Sequence, residues 1–273
     1  MTPEADRARA FRQLHQSGCF VIPNPWDVGS ARILAQLGFQ ALATTSAGFA
    51  WSLGRPDHHQ VSLNEALAHF RDIARSVHVP VNADFEGGFA TAPADVGANV
   101  AAATATGIAG LSIEDSTGDG SNPLFDFALA VERVQAARQA IDESGTGVVL
   151  TGRSEGFIVG RPDLDETIRR LTAYAGAGAD CLFAPGIRSM QDIAAVVKAV
   201  APKPVNVLVG SDFATVKELA DAGVRRISVG GALARTAWTG FLQAATEIAT
   251  QGTFVNLGRA VPTGDMNGLF GTK

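Results

Sequence analysis

The chain has 273 residues, of which 46% are hydrophobic and 18% are charged, so it can bury a large core and we do not expect disorder. Its formal net charge of −5 argues against nucleic acids and anionic membranes as main partners. No apolar run is long enough to cross a bilayer. The N-terminus lacks the layout of a signal peptide and there are only two cysteines, so we expect a protein of the reducing cytoplasm.

After an N-terminal helix that stops before Gly18, the chain alternates apolar, strand-like runs with helical stretches. The predicted strands are 19–22, 41–45, 81–83, 110–113, 147–151, 181–184, 205–209 and 226–229. The predicted helices are centred on 30–37, 63–77, 94–106, 127–144, 164–177, 190–200, 214–222 and 232–249. Strands that are apolar almost throughout and alternate with helices predict parallel strands joined by right-handed crossovers.

Eight such units predict a (β/α)8 TIM barrel, as a single domain over residues 1–273 with a C-terminal tail from about residue 251. A doubly wound open sheet is the alternative. Against it, the first strand leads into Pro23-Asn-Pro-Trp-Asp27 and not into a glycine-rich dinucleotide turn. The tail carries several glycines and isolated apolar residues, and it is either ordered against another subunit or frayed.

The stretch Pro80-Val-Asn-Ala-Asp-Phe-Glu-Gly-Gly-Phe89 carries the clearest chemical signal. It begins as a buried strand and ends in Asp84 and Glu86, which are two residues apart and therefore point to the same face of a strand. Two carboxylates this close need a cation between them or a proton on one of them. Mg²⁺ suits them because it prefers carboxylate oxygens. An acidic turn on a solvated loop is the alternative.

Barrel enzymes carry their chemistry at the C-terminal ends of the strands. The polar side chains at or near the strand ends include Thr45, Ser46, Asp57, Asp84, Glu86, Glu114 and Arg153. An arginine that ends an apolar strand inside a ring of carboxylates fits an anionic substrate held by two hydrogen bonds. Asn206 lies early in the seventh strand, where a satisfied core amide is the alternative to a binding residue.

The positions of the lysines and histidines argue against other chemistries. No lysine stands at a C-terminal strand end, as a Schiff-base aldolase or a pyridoxal phosphate enzyme would require. Three of the five histidines fall in or beside helices, so a histidine-rich zinc site is not expected. His58 and His59 follow Asp57 and are predicted to be solvated loop residues. The remaining cluster fits Mg²⁺ or Mn²⁺ holding a small 2-oxo acid and stabilising an enolate.

Together these motifs resemble the isocitrate lyase/phosphoenolpyruvate mutase superfamily, over about residues 24–231. The resemblance rests on Thr45-Ser46, Leu53-Gly-Arg-Pro-Asp57, Ala83-Asp-Phe-Glu-Gly-Gly-Phe89, Ile113-Glu-Asp115 and Gly152-Arg-Ser-Glu-Gly-Phe157. It implies a (β/α)8 barrel whose eighth helix is swapped between subunits. The implied assembly is a homotetramer built as a dimer of dimers, or a homodimer.

The resemblance also implies roles for individual residues. Mg²⁺ would be held by Asp84, Glu86 and Glu114, directly or through water, with Asp57 nearby. The implied substrate contacts are Thr45, Ser46, Ala47, Arg153 and Asn206, with backbone N–H groups at Thr45 and Ser46 holding the pyruvyl carboxylate. The implied catalytic residues are Arg153, which would contact the oxo or enolate oxygen, Asp57, Glu114 and Asn122.

The loop after the fourth strand departs from the family pattern. Isocitrate and methylisocitrate lyases carry a Lys-Lys/Arg-Cys-Gly-His gate with a catalytic cysteine, whereas this loop reads Ser116-Thr-Gly-Asp-Gly-Ser-Asn-Pro123. Phosphoenolpyruvate mutases carry a lysine and an asparagine in the gate. Asn122 matches the asparagine, and the lysine is missing. The chain is therefore identified as a small member of the superfamily that lacks this gate.

These observations predict a Mg²⁺-dependent C–C lyase. Its substrate would be a small 2-hydroxy or 2-oxo di- or tricarboxylate, similar to oxaloacetate or methylisocitrate, and its product pyruvate or a related 2-oxo acid. Decarboxylation of an oxaloacetate-like acid needs least from the altered gate, because it requires no general base. Two alternatives stay open: P–C chemistry on phosphonopyruvate, by hydrolysis or mutase rearrangement, and a non-catalytic 2-oxo acid binding protein.

Overall fold

The computed structural model describes residues 3–271. Its strands are β1 Phe20–Ile22, β2 Leu42–Ala43, β3 Val81–Asp84, β4 Gly110–Glu114, β5 Val149–Arg153, β6 Cys181–Phe183, β7 Val205–Leu208 and β8 Arg226–Ser228. Its helices are α1 Pro3–Leu14, α2 Val28–Gln36, α3 Ser46–Ser52, α4 Leu63–Ser76, α5 Pro93–Thr104, α6 Phe127–Ser144, α7 Leu164–Gly176, α8 Met190–Val200, α9 Val216–Asp221, α10 Ala232–Gln251 and α11 Thr263–Gly268, with a 3-10 helix at Asn256–Arg259. Within the described residues, no helix is long and apolar enough to span a membrane.

The eight strands form one parallel sheet in the order β1-β8-β7-β6-β5-β4-β3-β2. A backbone hydrogen bond of 3.0 Å from the N–H of Ala43 to the O of Pro23 joins the two ends of this sheet. Asn24 reinforces the seam: its Nδ2 donates to the O of Thr44, and its Oδ1 accepts two backbone N–H groups that follow β8. The predicted (β/α)8 barrel is confirmed, and the doubly wound sheet is excluded.

Local sequence explains where several helices begin and end. Reciprocal capping boxes start α4 and α9, in which Ser62 pairs with Glu65 and Thr215 pairs with Glu218. At the other end, α10 closes on Gly252, which adopts the left-handed conformation that glycine tolerates best. These signals fix the helices that surround the barrel.

Apolar side chains fill the space between the barrel and its helices, and a smaller cluster closes the barrel's lower end. There, Phe11 of α1 is fully buried and packs with Phe20 and Val149. In β8 the side chains alternate, so that Ile227 joins the outer core while Arg226 and Ser228 face the interior of the barrel. The lower end of the barrel is therefore sealed, and the interior opens at the C-terminal ends of the strands.

The strands that carry the site extend further than predicted. β3 ends at Asp84, β4 at Glu114 and β5 at Arg153, two residues beyond the predicted end of the fifth strand. Helix α3 was not predicted, because it is short and holds a glycine and several small residues. Gly48 in α3 is required there, since a Cβ at this position would lie 2.8 Å from both Thr45 and Trp26.

The C-terminal part of the chain leaves the barrel and then returns to it. Of the 20 residues of α10, only Ala234 and Glu247 are buried. Glu247 accepts hydrogen bonds from the chain that follows α10, and these fold the 3-10 helix back along it. After α11, the O of Phe270 accepts a hydrogen bond of 3.0 Å from Arg32 in α2. As far as residue 271 the tail is therefore ordered, and Phe270 packs on its own barrel.

Candidate active site

Arg153 stands at the centre of the C-terminal mouth of the barrel, bound to three carboxylates. Its Nη1 lies 3.1 Å from Oδ1 of Asp84 and 3.2 Å from Oε2 of Glu114, while its Nε donates to Oε1 of Glu155. The side chain is 17% exposed. These contacts join the ends of β3, β4 and β5. We call Asp84, Glu114, Arg153 and Glu155 the rim.

The short helix α3 begins directly beside the rim. Thr45 caps this helix through a hydrogen bond from the N–H of Gly48. The backbone N–H and the hydroxyl of Ser46 both donate to Oδ2 of Asp84, at 2.9 Å each. The N–H of Ser46, which the resemblance assigns to a substrate carboxylate, is thus directed at a carboxylate of the protein. In this structure that donor is therefore occupied by Asp84.

His59 contacts the same acidic cluster, contrary to the prediction of a solvated loop residue. Its backbone N–H donates to Oε2 of Glu86 at 3.0 Å, and its ring Nδ1 lies 2.9 Å from the same oxygen. Its Nε2 lies 3.8 Å from Oε1 of Glu114. The hydrogen bond to Glu86 raises the pKa of His59, although burial opposes the shift. His58 is exposed, as predicted.

The backbone explains why sequence reasoning missed His59. His58, His59 and Glu86 all adopt positive φ, at 72°, 57° and 45°, a conformation that non-glycine residues seldom take. These turns fold the loop back onto the end of β3. No periodicity signals such a reversal, and the only hint in the chain is the consecutive titratable triplet that starts at Asp57.

The gate loop, residues 116–125, folds over His59. Ser116 and Leu124 form an antiparallel bridge, and the N–H of Thr117 donates to the O of Pro123 at 3.0 Å. Gly118, with φ of 76°, lies against the imidazole, since a Cβ there would be 2.6 Å from Cδ2 of His59. The loop is therefore a compact turn that covers the rim from one side.

A network behind the rim fixes the strand ends. Asp115 accepts the N–H of Glu155 at 2.8 Å, the hydroxyl of Tyr174 at 2.6 Å and Nη1 of Arg170 at 3.1 Å. Burial and the neighbouring Asp115 raise the pKa of Tyr174, so its hydroxyl stays a donor. Asp115 thus holds the backbone that carries Glu155.

Arg133 ties the loop after β3 to the end of β4 from beneath. The guanidinium is 1% exposed and lies 3.8 Å from the ring centroid of Phe125. It donates to the backbone O of Gly87, Ala90 and Glu114. Burial lowers the pKa of Arg133 to about 10. One side chain thereby holds three carbonyls, two on the loop after β3 and one at the end of β4.

A cavity of about 200 Å³ opens at the rim and runs into the barrel. Of the predicted site residues, those that line it are Thr45, Ser46, Ala47, Asp57, Asp84, Arg153 and Asn206. Glu114 lies behind Arg153, and Glu86 lies under His59. Asn122 is exposed on the gate loop, where its backbone N–H donates to the O of Asp119. Asn206 faces the interior and bonds to Ser228 and Arg226.

The rim places three carboxyl groups around one guanidinium. Burial raises the pKa of Glu114 well above its usual range, and nearby carboxylates add to the effect that Arg153 opposes. Burial disfavours the charge of Arg153, yet the carboxylates around it raise its pKa well above the usual range. The arginine is therefore permanently charged, but it does not offset the burial of Glu114, whose carboxyl group is still short of compensating positive charge.

That shortage fits a divalent cation, which is the group the resemblance implies. Asp84, Glu86 and Glu114 supply the carboxylate oxygens that Mg²⁺ and Mn²⁺ prefer. Their oxygens contact Ser46, His59 and Arg153 instead of converging on one point. Accordingly, no three His, Cys, Asp or Glu side chains among residues 3–271 form a ready-made cage for an ion. The donor chemistry suits the metal.

Comparisons with known proteins show which proteins the chain is similar to. A family model described as phosphoenolpyruvate phosphomutase matches residues 11–249. The crystal structure of a provisionally named lyase/mutase from Burkholderia cenocepacia J2315 is 47% identical, with a TM-score of 0.95, over 99% of this chain and 97% of its own. The crystal structure of a 2,3-dimethylmalate lyase, a phosphoenolpyruvate mutase/isocitrate lyase superfamily member, is 27% identical, with a TM-score of 0.85, over 99% and 95%. The oxaloacetate decarboxylase of Pseudomonas savastanoi pv. phaseolicola (strain 1448A / Race 6) is 31% identical over 229 residues, 81% of this chain and 77% of that protein.

Proposed function

Because the chain belongs to the phosphoenolpyruvate phosphomutase family, we propose that it is a C–C lyase for a small 2-oxo or 2-hydroxy dicarboxylate. Membership confirms the predicted enzyme of the isocitrate lyase/phosphoenolpyruvate mutase type. Decarboxylation of an oxaloacetate-like acid is the leading reaction, and pyruvate or a related 2-oxo acid is the product. The relatives that decarboxylate oxaloacetate or cleave dimethylmalate support this choice.

One observation carries the proposal: a permanently charged guanidinium is fixed at the cavity's mouth. Asp84, Glu114 and Glu155 hold Arg153, so the cation does not have to reorganise when charge develops. A 2-oxo acid that enters the cavity meets this guanidinium. When the bond to C3 breaks, negative charge moves onto the former oxo oxygen, and Arg153 stabilises it there.

The gate loop favours decarboxylation over a retro-aldol cleavage. A retro-aldol needs a base for the substrate hydroxyl, and residues 116–123 supply no cysteine, lysine or histidine. Loss of CO₂ from a 2-oxo acid leaves electrons that the carbonyl itself accepts, so no base is required. His59 lies beneath the loop, but its imidazole is engaged by Glu86.

Asp84, Glu86 and Glu114 would hold Mg²⁺ or Mn²⁺, directly or through water. When bound, the ion supplies a Lewis acid for the oxygens of the 2-oxo acid. Ser46 orients Asp84 through two hydrogen bonds, and His59 orients Glu86. Asp57 lines the cavity beside them. The hydrogen bonds that would orient these two carboxylates around a metal ion are thus present in the chain.

The test is release of 2-oxo acid from a substrate panel, after EDTA treatment and with Mg²⁺ restored. The panel is oxaloacetate, dimethylmalate, methylisocitrate, isocitrate and phosphonopyruvate. We expect Asp84→Asn to lower kcat/KM by at least about 100-fold, because the ligand charge and the contact to Arg153 are both lost. Asp95→Asn, on the exposed first turn of α5, is the matched control and should leave it unchanged.

The other outcomes decide between the alternatives. Turnover of phosphonopyruvate alone would assign the chain to P–C chemistry. Absence of turnover across the panel, with Mg²⁺-dependent binding of pyruvate intact, would contradict the lyase and favour a binding protein. Equal activity of the Asp84→Asn and Asp95→Asn proteins would remove Asp84 from the site.

We also propose that α10 docks on a second copy of the chain, in a homodimer or in a homotetramer built of two dimers. The helix exposes large apolar side chains, with Phe241 at 59% and Leu242 at 58%. An apolar surface of this kind indicates an interface. We expect light scattering to give a mass of two or four chains, and Phe241→Glu to lower it. A monomeric wild-type protein would contradict the proposal.

A cytoplasmic location belongs to the same proposal. Cys19 and Cys181 are free, and burial raises the pKa of both thiols, so neither is poised for exchange. Free thiols of this kind suit a reducing compartment.

A further inference from the structure

Another buried arginine, Arg226, lies at the opposite end of the barrel interior from the rim. Arg226 is the first residue of β8 and is 3% exposed. Its Nε donates to Oδ1 of Asn206 at 2.9 Å and its Nη2 to Oγ1 of Thr151 at 3.1 Å. Its Nη1 lies 3.4 Å from Nε2 of His15, which follows α1 below the barrel. We call Arg226, Asn206, Thr151 and His15 the floor.

No partner of Arg226 in the floor carries a negative charge. Asn206 and Thr151 are neutral side chains, and burial together with Arg226 lowers the pKa of His15 to about 3, so its imidazole is neutral as well. Among residues 3–271, no carboxylate forms an ion pair or hydrogen bond with Arg226. Since a guanidinium stays protonated in proteins even when buried, the floor holds an unpaired positive charge.

The floor opens into the same cavity as the rim. Arg226, Asn206 and Ser228 line it from below. Thr151 stands two residues before Arg153 on β5, so the floor lies about 7 Å beneath the rim. A guanidinium has five N–H donors, and the contacts with the protein leave some of them free.

We propose that the floor binds one small monovalent anion, held by Arg226 inside the barrel. Burying an unpaired charge is strongly unfavourable, and a counterion that enters through the cavity removes that penalty. Chloride, nitrate, formate and the carboxylate group of a ligand share the chemistry required. A multiply charged anion fits less well, because the guanidinium of Arg226 is the only positive charge among the floor residues. The site lies apart from the rim carboxylates and needs no turnover to be detected.

The test uses thermal unfolding of the full-length protein at constant ionic strength. Chloride, nitrate or formate replaces a bulky sulfonate buffer anion. We expect Tm to rise saturably, by about 3 °C at an anion concentration near ten times Kd. Arg226→Met should lose this response. Arg225→Met is the matched control and should keep it, because Arg225 points outward and donates to the O of Gly18.

Either of two results would overturn the proposal: a wild-type Tm that ignores all three anions, or an equal response in the Arg226→Met protein. If the Arg226→Met protein does not fold, a bromide soak of wild-type crystals serves as the second test. An anomalous scattering peak beside the Arg226 guanidinium in a bromide-soaked crystal supports the site, and its absence there refutes it.

A last arm identifies the source of the anion. Pyruvate is added to wild-type protein already saturated with chloride. Additive shifts in Tm assign the floor to an inorganic anion, with pyruvate bound elsewhere. Competing shifts assign it to the carboxylate of a ligand. Both results support an anion at Arg226, and neither depends on whether the lyase assay succeeds.

Discussion

The rim and the floor place the same kind of side chain in two opposite electrostatic settings, about 7 Å apart in one barrel. Arg153 at the rim contacts three carboxylates, and these raise its pKa although burial opposes the shift. Arg226 at the floor contacts neutral groups, and burial lowers its pKa. Both arginines are largely removed from solvent, so burial does not distinguish them. The negative charges around each arginine do.

The histidines repeat the contrast. His59 at the rim donates to Glu86, and that hydrogen bond raises its pKa. His15 at the floor is buried beside Arg226, and its pKa falls to about 3. A proton is thus favoured on one imidazole and disfavoured on the other. At the rim, positive groups lie against carboxyl groups. At the floor, the positive charge of Arg226 has no negative partner within the described part of the chain.

Replacing each arginine by methionine is the most direct test of the contrast between the rim and the floor. Arg153→Met leaves two buried carboxyl groups and the half-buried Asp84 without their cation, so we expect a loss of about 3–5 kcal/mol in the free energy of unfolding and about 10²–10³-fold in kcat/KM. Arg226→Met, in low-chloride buffer, removes an unpaired buried charge but leaves three neutral acceptors without their donor, and these opposing effects should keep the change in stability within about 1 kcal/mol. Urea titrations of both proteins at pH 7 check this. A larger loss from Arg226→Met than from Arg153→Met would reverse our description of the two sites.

The floor histidine should make the protein sensitive to acid. Between its ordinary pKa of 6.5 and the folded value of about 3, His15 takes a proton in the unfolded chain but not in the folded one. Stability therefore falls as the pH drops through that window, by on the order of 3 kcal/mol. We expect His15→Gln to lose less stability than the wild type between pH 7 and pH 4. Parallel stability curves for the two proteins would refute the shift.

His59, which lies beside the rim, should make stability depend on pH in the opposite direction and by a smaller amount. Because the pKa of His59 is raised, its contribution is fully present below about pH 6.5 and is lost as the pH rises through the folded value. The pair with Glu86 is partly screened by solvent, so we expect about 0.5–1 kcal/mol. In EDTA, His59→Gln should therefore be less stable than the wild type at pH 6 but nearly equal to it at pH 9. A deficit that grows with pH would contradict this.

The sequence predicts the rim better than the floor, for a physical reason. Asp84, Glu114 and Arg153 end apolar strands, and the ends of barrel strands are where function is expected. Arg226 begins its strand, at the end usually associated with stability. The signal was nonetheless present, since a charged residue and Ser228 flank Ile227 with the alternation of an inward-facing pair.

Contacts made by loops were beyond the reach of pattern reading. His59 reaches Glu86 through consecutive positive-φ residues, and no hydrophobic period encodes that turn. Helix α3 is too short to show a period, although Thr45 is a recognisable cap. The alternation of strands and helices, in contrast, is repeated eight times, and repetition made the barrel predictable from the chain alone.

The seam between β1 and β2 determines how the barrel can open. The other neighbouring strands share paired ladders, whereas this join depends on the bond from Ala43 to Pro23 and on the side chain of Asn24. Local opening needs least free energy where the fewest bonds must break. Amide exchange should therefore be fastest along this line, and a brief parting there would admit solvent to the cavity from the side, without any movement of the gate loop.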